Sequence, residues 1–208
     1  SRLKLGTAVL VVTERNPITL AKEVATLDMY SGGRYLFGVG VGSIEEEAAI
    51  LGSDFPHRWT QAHEAVLAMK ELWTKEVSEF HGRYYDFPPV HSLVQPAQKP
   101  HPPVLLGGNA PNVLQRVARW GDGWLPNRVT PSQVEEGRKI LDTLAAERGR
   151  DPASLSISVF GQPPETTRQQ VDDFLSAGAI RVSVWPVHCE TEQEMGDQLE
   201  RMAGALVR

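Results

Sequence analysis

Five residues, Gly38-Val39-Gly40-Val41-Gly42, constrain this chain more than any others. On an extended strand, successive side chains point to opposite faces. The three glycines therefore strip one face bare, while Phe37, Val39 and Val41 line the other. Glycine weakens a strand, and a strand that keeps three of them has something lying close against its backbone. A neighbouring side chain packed tightly there is one occupant. A flat ligand, such as a flavin-like ring, is the better reading, and it makes Gly40 and Gly42 candidate ligand contacts.

Strand-like and helix-like patterns alternate around this segment. Buried strands are predicted over residues 5–12, 35–41, 104–107, 123–126, 155–160 and 180–185, from short apolar, β-branched runs. Helices are predicted from Asn16-Pro17 to Gly32 or Gly33, then over 60–73, 111–119, 135–148, 165–177 and 192–206. Such alternation implies a parallel sheet with right-handed crossovers, an α/β architecture. A closed (β/α)8 barrel needs eight strands and typically about 250 residues, whereas six strands are found here. One stretch, residues 75–103, breaks the rhythm with a hairpin turning at His81-Gly82 and a proline-rich second half. Long connections of this kind serve as lids or binding loops, or as surface spacers. The 208 residues suffice for one domain with a full core, so residues 1–208 are read as a single domain with a loop insertion at 75–103.

Lys plus Arg total 21 and Asp plus Glu 26, a net charge of −5 that gives no electrostatic case for nucleic acid or an anionic membrane. Cys189 is the single cysteine, so no intrachain disulfide can form, which favours a reducing compartment. No apolar run is long enough to span a bilayer, and the opening SRLKLG is not a signal peptide. A cytoplasmic protein is expected.

Two further segments could carry chemistry. In PPVLLGGNAPN, residues 102–112, a buried strand runs into Gly107-Gly108. Asn109 or Ala110 is then predicted to cap a helix beginning at Pro111. Backbone N–H groups and the helix dipole would make this an anion site suited to phosphate, the alternative being an ordinary strand-to-helix turn. It is neither a P-loop nor a dinucleotide fingerprint. In GDGWLPNR, residues 121–128, Asn127 and Arg128 lie just beyond a strand end, where α/β barrels place ligands. The histidines do not form a metal site, since His57 and His63 are six apart and His188-Cys189-Glu190 lack further ligands. Glu45, Glu46 and Glu47 read as the exposed acidic first turn of a helix in preference to an acid–base group.

NPITLAKEVATLDMYSGGRYLFGVGVG, PVLLGGN and ARWGDGWLP, in that order, resemble the luciferase-like monooxygenase superfamily, and within it the branch using the deazaflavin coenzyme F420. The resemblance implies a (β/α)8 TIM-type barrel with the ring at the C-terminal ends of the strands. It implies a non-prolyl cis peptide at Val11-Val12 bulging against that ring. It also implies a phosphate loop at Gly107, Gly108 and Asn109, with Asn127 on the neighbouring loop. Arg128 is a candidate phosphate partner beside it. Compared with the family, the chain opens at the third strand, without the first two β/α units, which hold part of the substrate pocket. Ser43 stands where many relatives have tryptophan and a sugar-phosphate dehydrogenase branch has an acid, so a sugar phosphate is not supported. Ser43 and Glu45 remain the catalytic candidates. The implied reaction is hydride transfer between F420 and a small organic substrate. An FMN-dependent monooxygenase and a non-catalytic flavin- or deazaflavin-binding protein are the alternatives. Without the first two units, two strand edges would be left open, so either a longer N-terminus or a homodimer or higher homo-oligomer is expected.

Overall fold

The computed structural model describes residues 3–206. The chain forms two compact units that divide between Leu105 and Leu106, within a strand.

In the first unit, β1 (Leu5–Gly6) and β2 (Leu10–Val11) both run parallel to β3 (Tyr35–Gly40). The sequence predicts one continuous strand here, and the register shows why two form instead. Leu5 and Gly6 pair with Tyr35 and Leu36, whereas Leu10 and Val11 pair with Val39 and Gly40. Three residues, Thr7 to Val9, thus face only Phe37 and Gly38, which is a bulge. The cis peptide lies inside that bulge, at Ala8-Val9, and not at Val11-Val12 as the resemblance implied. The run Leu5 to Val12 carries no local mark of where such an extra residue falls. The Thr7 hydroxyl donates to the Gly38 carbonyl at 2.8 Å across it.

Helix α1 (Pro17–Ser31) starts where Asn16-Pro17 predicts. The Asn16 side chain accepts from Ile18 N and Thr19 N at 2.9 and 3.2 Å, and Gly32 ends the helix at φ 68°. Helix α2 (Glu45–Ile50) is short, and α3 (Arg58–Thr74) packs on α1. Between them, Trp73 is buried edge-on to Phe37 at 6.0 Å, and its indole N–H donates to the Ala21 carbonyl at 2.8 Å. Asp28 is 0 % exposed and fully bonded: its carboxylate accepts from Gln98 N, Gln98 Nε2 and Tyr35 N at 2.8, 2.7 and 3.4 Å. It therefore pins the end of the long connection beside β3.

The first half of that connection is a real hairpin, β4 (Val77–His81) against β5 (Asp86–His91). Its tip closes over α3. The Glu64 carboxylate accepts the successive backbone N–H groups of Arg83, Tyr84 and Tyr85 at 3.0, 2.5 and 2.7 Å. Gly82 permits the approach, since a Cβ there would lie 2.3 Å from Glu64 Oε1. The Tyr84 hydroxyl donates to Asp54 at 2.8 Å, and this bond, followed by that to His57, holds the Asp54 carboxyl below its ordinary 3.8.

The second unit repeats one pattern. Strand β6 (Val104–Gly107) reaches into it, followed by α4 (Val113–Trp120), β7 (Gly123–Leu125), α5 (Pro131–Glu147), β8 (Ser156–Gln162), α6 (Arg168–Ser176), β9 (Arg181–Val184) and α7 (Glu192–Leu206). Strands β7, β8 and β9 are parallel neighbours, with Gly123 opposite Ser156 and Ser158 opposite Arg181. Helices α5 and α6 both open with capping boxes, Thr130 with Gln133 and Thr167 with Gln170. The Arg150 guanidinium closes the other end of α4 by donating to the Val117, Ala118 and Gly121 carbonyls at 3.3, 3.1 and 2.9 Å.

Two outcomes follow for the hairpin. Hydrogen bonds to a charged acceptor contribute about 1.5–3 kcal/mol. Glu64→Ala should therefore speed amide exchange at Arg83, Tyr84 and Tyr85 about tenfold or more, with Leu105 as an unchanged internal reference. Asp54 contributes stability that is complete above the ordinary carboxylate value and is lost as pH falls through its lowered folded value. Tyr84→Phe should move the Asp54 midpoint upward toward 3.8 in an NMR titration. An unmoved midpoint would refute the hydroxyl as the cause.

Candidate functional site

The two glycine-rich motifs of the second unit come together at the C-terminal ends of β6 and β7. The Gly108 N–H donates to the Leu125 carbonyl at 3.1 Å, and the Gly108 carbonyl accepts from the Trp124 indole at 2.9 Å. Both backbone polar groups of Gly108 are committed, so its N–H is not a free phosphate donor. What Gly108 supplies is shape. Its φ is +92°, and the position of a Cβ would face open space. Asn109 follows and donates from Nδ2 to the Asn127 carbonyl at 2.7 Å and to its Oδ1 at 3.1 Å, which clamps the two loops together.

Helix α4 starts later than the sequence predicts. Asn109 and Ala110 do not cap it, and Pro111 is not its first residue. Instead the Val113 N–H donates to the Ala110 carbonyl at 3.1 Å, with Asn112 at φ 66°. Ala110-Pro111-Asn112-Val113 is thus a turn with proline second and a left-handed asparagine third, the pattern of a type II turn. Pro-Asn was the signal available for it. The helix then opens at Val113 without any side-chain cap, so beyond the Val113 N–H, which the turn takes, the first turn presents the positive end of the dipole.

A cavity of about 310 Å³ opens at this point. Its walls include Asn109 and Asn112 from the turn, Trp124 from β7, and Arg128 with Gln133 from the next loop and α5. Among the described residues, Asn112 and Arg128 are the two non-glycines with positive φ, and both line this one cavity. Left-handed backbone at residues with side chains gathers at ligand sites, because the surroundings must hold it there. Gly107 lies one residue before, buried as the last residue of β6.

The candidates of the first unit sort differently. The bare face of β3 is filled at Gly40 by Val9, since a Cβ on Gly40 would lie 2.3 Å from Val9 Cγ2. The flat-ligand reading of that position gives way to a packed side chain. Val12 is 0 % exposed and belongs to the core, so its side chain cannot touch a coenzyme. Val11 and Glu14 converge on Gly42, where a Cβ would sit 3.5 Å from Val11 Cγ1 and 3.2 Å from Glu14 Oε1 at φ +73°. Burial, then the neighbouring Glu47, raises the Glu14 carboxyl above its ordinary range. Ser43 and Glu45 are exposed, the latter in the acidic first turn of α2. Glu14 was missed in the sequence because nothing local marks it. Among the described residues no group of three or more His, Cys, Asp or Glu could hold a metal ion, and no helix is long and apolar enough to cross a membrane.

Parallel β/α repeats with loops gathered at the strand C-termini place the chain among the α/β proteins. The chain belongs to the luciferase-like monooxygenase family, which matches residues 1–179. An uncharacterized protein of Mycobacterium tuberculosis is 38% identical over 174 residues, covering 81% of this chain and 60% of that protein. The phthiodiolone/phenolphthiodiolone dimycocerosates ketoreductase of the same organism is 27% identical over 188 residues, covering 88% of this chain and 49% of the relative. The chain therefore spans about half to 60% of the length of these relatives. Among solved structures, the coenzyme F420-dependent tetrahydromethanopterin reductase of Methanopyrus kandleri matches with a TM-score of 0.76 at 18% identity, covering 98% of this chain and 82% of that one. The oxygenating constituent of 3,6-diketocamphane monooxygenase from Pseudomonas putida, in complex with FMN, matches at 0.65 with 17% identity, covering 84% and 52%. These likenesses establish the fold, α/β of the luciferase-like TIM-barrel type.

Trp124 also lies across α5, and Gly137 makes room for it: a Cβ there would be 2.4 Å from Trp124 Cζ3. Gly137→Ala would gain about 1 kcal/mol of helix propensity on an open helix. Here it should destabilise the protein by about 1–3 kcal/mol, the cost of overpacking, measured by urea unfolding. A stabilised variant would mean that Trp124 is not fixed against the helix.

Proposed function

We propose that the protein is an oxidoreductase that binds the deazaflavin F420 and serves hydride transfer to or from a small organic substrate. The observation that carries this reading is the cavity at the uncapped start of α4, walled by Asn112 and Arg128. Its parts suit a phosphate. A helix N-terminus offers N–H groups and partial positive charge, and Arg128 adds a full one. Gly108 keeps the approach open, and the Asn109–Asn127 clamp fixes the loops so that little ordering is needed on binding. When bound, the deazaflavin would supply the hydride chemistry itself. The chain's residues would hold its phosphate and orient it. In the first unit, taken by itself, Glu14 beside Val11 and Gly42 is proposed as a group able to hold a proton.

The F420-dependent reductase among the structural neighbours favours this coenzyme, and the ketoreductase relative favours a carbonyl or alcohol substrate. The FMN-bound neighbour supports a second reading, an FMN-dependent monooxygenase on the same scaffold. A small-molecule substrate and a reducing compartment complete the proposal, with self-association as the expected assembly.

Titration of the chain with F420 and with FMN, followed by absorbance and fluorescence, separates these readings. The expected result is saturable binding of F420 in preference to FMN. Arg128→Ala should weaken it by about 10- to 100-fold, the loss of a charge-assisted bond of about 1.5–3 kcal/mol. Binding of neither coenzyme would overturn the proposal. Preference for FMN would select the second reading.

A further inference from the structure

We propose that the face of β8 and β9 turned away from the helices binds the substrate, and that this substrate is an organic acid whose carboxylate pairs with Arg181 and Ser158. The inference rests on the oxidoreductase reading above and deepens it by naming a substrate class. The carbonyl or alcohol group would lie elsewhere on the same molecule.

Trp124 shows which face this is. Its ring lies against Gly137 of α5 and so marks the helix side of the sheet. Ile157 stands opposite Trp124 in register and Val159 opposite Val182, with Ile157 and Val159 both 0 % exposed. Side chains alternate along a strand, which puts Ser158 and its register partner Arg181 on the other side. The two meet there, the Arg181 guanidinium donating from Nη1 to the Ser158 hydroxyl at 3.3 Å.

The chemistry of that side is not what packing alone requires. Parallel sheets are covered on both faces, and their strands read as near-continuous apolar runs. Here Ile157, Val159 and Val182 on the helix side alternate with Ser158, Arg181 and Ser183 on the other, and Ser183 is exposed. Among the described residues Arg181 has no carboxylate partner, and the Ser158 hydroxyl is its one acceptor. Burial disfavours the charged form and pulls the guanidinium below its ordinary range. A partly desolvated cation with spare N–H donors, beside a hydroxyl that still has a proton to donate, forms a fork for a carboxylate.

Charge and the strand ends narrow the class further. Arg181 is the one charged residue in β7, β8 and β9, so the face offers a single positive charge, which matches a carboxylate better than a phosphate dianion. Phe160 lies two residues beyond Ser158, about 7 Å farther along the strand. Its ring meets Trp185 edge to face at 5.1 Å, and Trp185 is 48 % exposed. The register slips between Val159 and Gln162, with Gly161 at φ +74°, a bulge of the kind that re-aims side chains beside binding sites. An acid held at Arg181 would thus lay an apolar body of short arylalkanoate length against an aromatic corner.

The test titrates the full chain, without coenzyme, with two probes, 4-phenylbutanoate and the uncharged 4-phenylbutanol, followed by calorimetry. The acid should bind at least tenfold more tightly than the alcohol, and added salt should weaken the acid alone. Arg181→Gln should remove that preference and Arg181→Lys should keep part of it. Trp185→Ala should weaken both probes alike, about threefold or more. Equal affinity for acid and alcohol in the parent chain would overturn the inference, as would a preference that survives Arg181→Gln. Displacement of the acid by an equal concentration of inorganic phosphate would overturn the carboxylate assignment. Each of these results, in a chain that binds F420, leaves the coenzyme reading intact. Tight acid binding by a chain that takes neither F420 nor FMN would overturn that reading and the substrate role together.

Discussion

Close approach at positions without a side chain governs what each unit can build. Trp124 shows it most plainly. Its indole N–H reaches the Gly108 carbonyl at 2.9 Å, and its ring lies where a Cβ on Gly137 would stand, 2.4 Å from Cζ3. One side chain thus fixes the loop after β6 against the helix after β7. The backbone of Gly108 is held on either side of its Cα, since its N–H pairs with Leu125. These bonds anchor the residue from which the following turn, Ala110 to Val113, leads to the helix start beside the cavity. The same principle works in the first unit, where Val9 enters the space that Gly40 leaves open. Glycine there serves packing, not a coenzyme.

Much of this was legible in the sequence, and the legible part is local. Period and turn chemistry located the strands from β3 onward in the β/α alternation, while the first predicted strand is two, and Asn16, Pro17 and Gly32 marked the ends of α1 because capping is decided within four residues. The His81-Gly82 hairpin and the acidic first turn at Glu45 are local for the same reason. The parts that escaped depend on distance or register. The bulge at Thr7 to Val9 is fixed by pairing with β3, some thirty residues on, and no residue in the run announces it. Asp28 with Gln98 and Glu64 with Tyr84 join segments 70 and 20 residues apart. A carboxylate on a helix reads as a solvated face until its distant partner is known. Helix α4 begins later than expected for a different reason: Pro111 suits a first helical position after Asn109 or Ala110, but Pro111-Asn112 equally suits the middle of a turn, which is what forms.

The candidate residues divide along the same line. The turn and cavity of the second unit were readable because backbone conformation shapes them, and the sequence states backbone demands openly through Gly107-Gly108, Pro111 and Asn112. Glu14 belongs to the other kind. Its carboxyl is raised by partial burial and by Glu47, which approaches from the first turn of α2, so its character is set by two elements separated by the whole of α1 and β3.

This difference bears on how such a chain can vary its chemistry. A turn of this kind depends on turn type and on a few glycines more than on the side chains around it. Side chains that converge on Gly42 are free of that constraint, and each can be exchanged singly. Chains sharing the scaffold can therefore keep one way of holding a coenzyme while differing in what they do with it. The F420-dependent reductase and the FMN-bound monooxygenase on one fold, at 18% and 17% identity to this chain, are what that division would produce. The distinguishing features of this chain should accordingly be sought at Val11, Glu14 and Ser43, where side chains and not the backbone decide what fits.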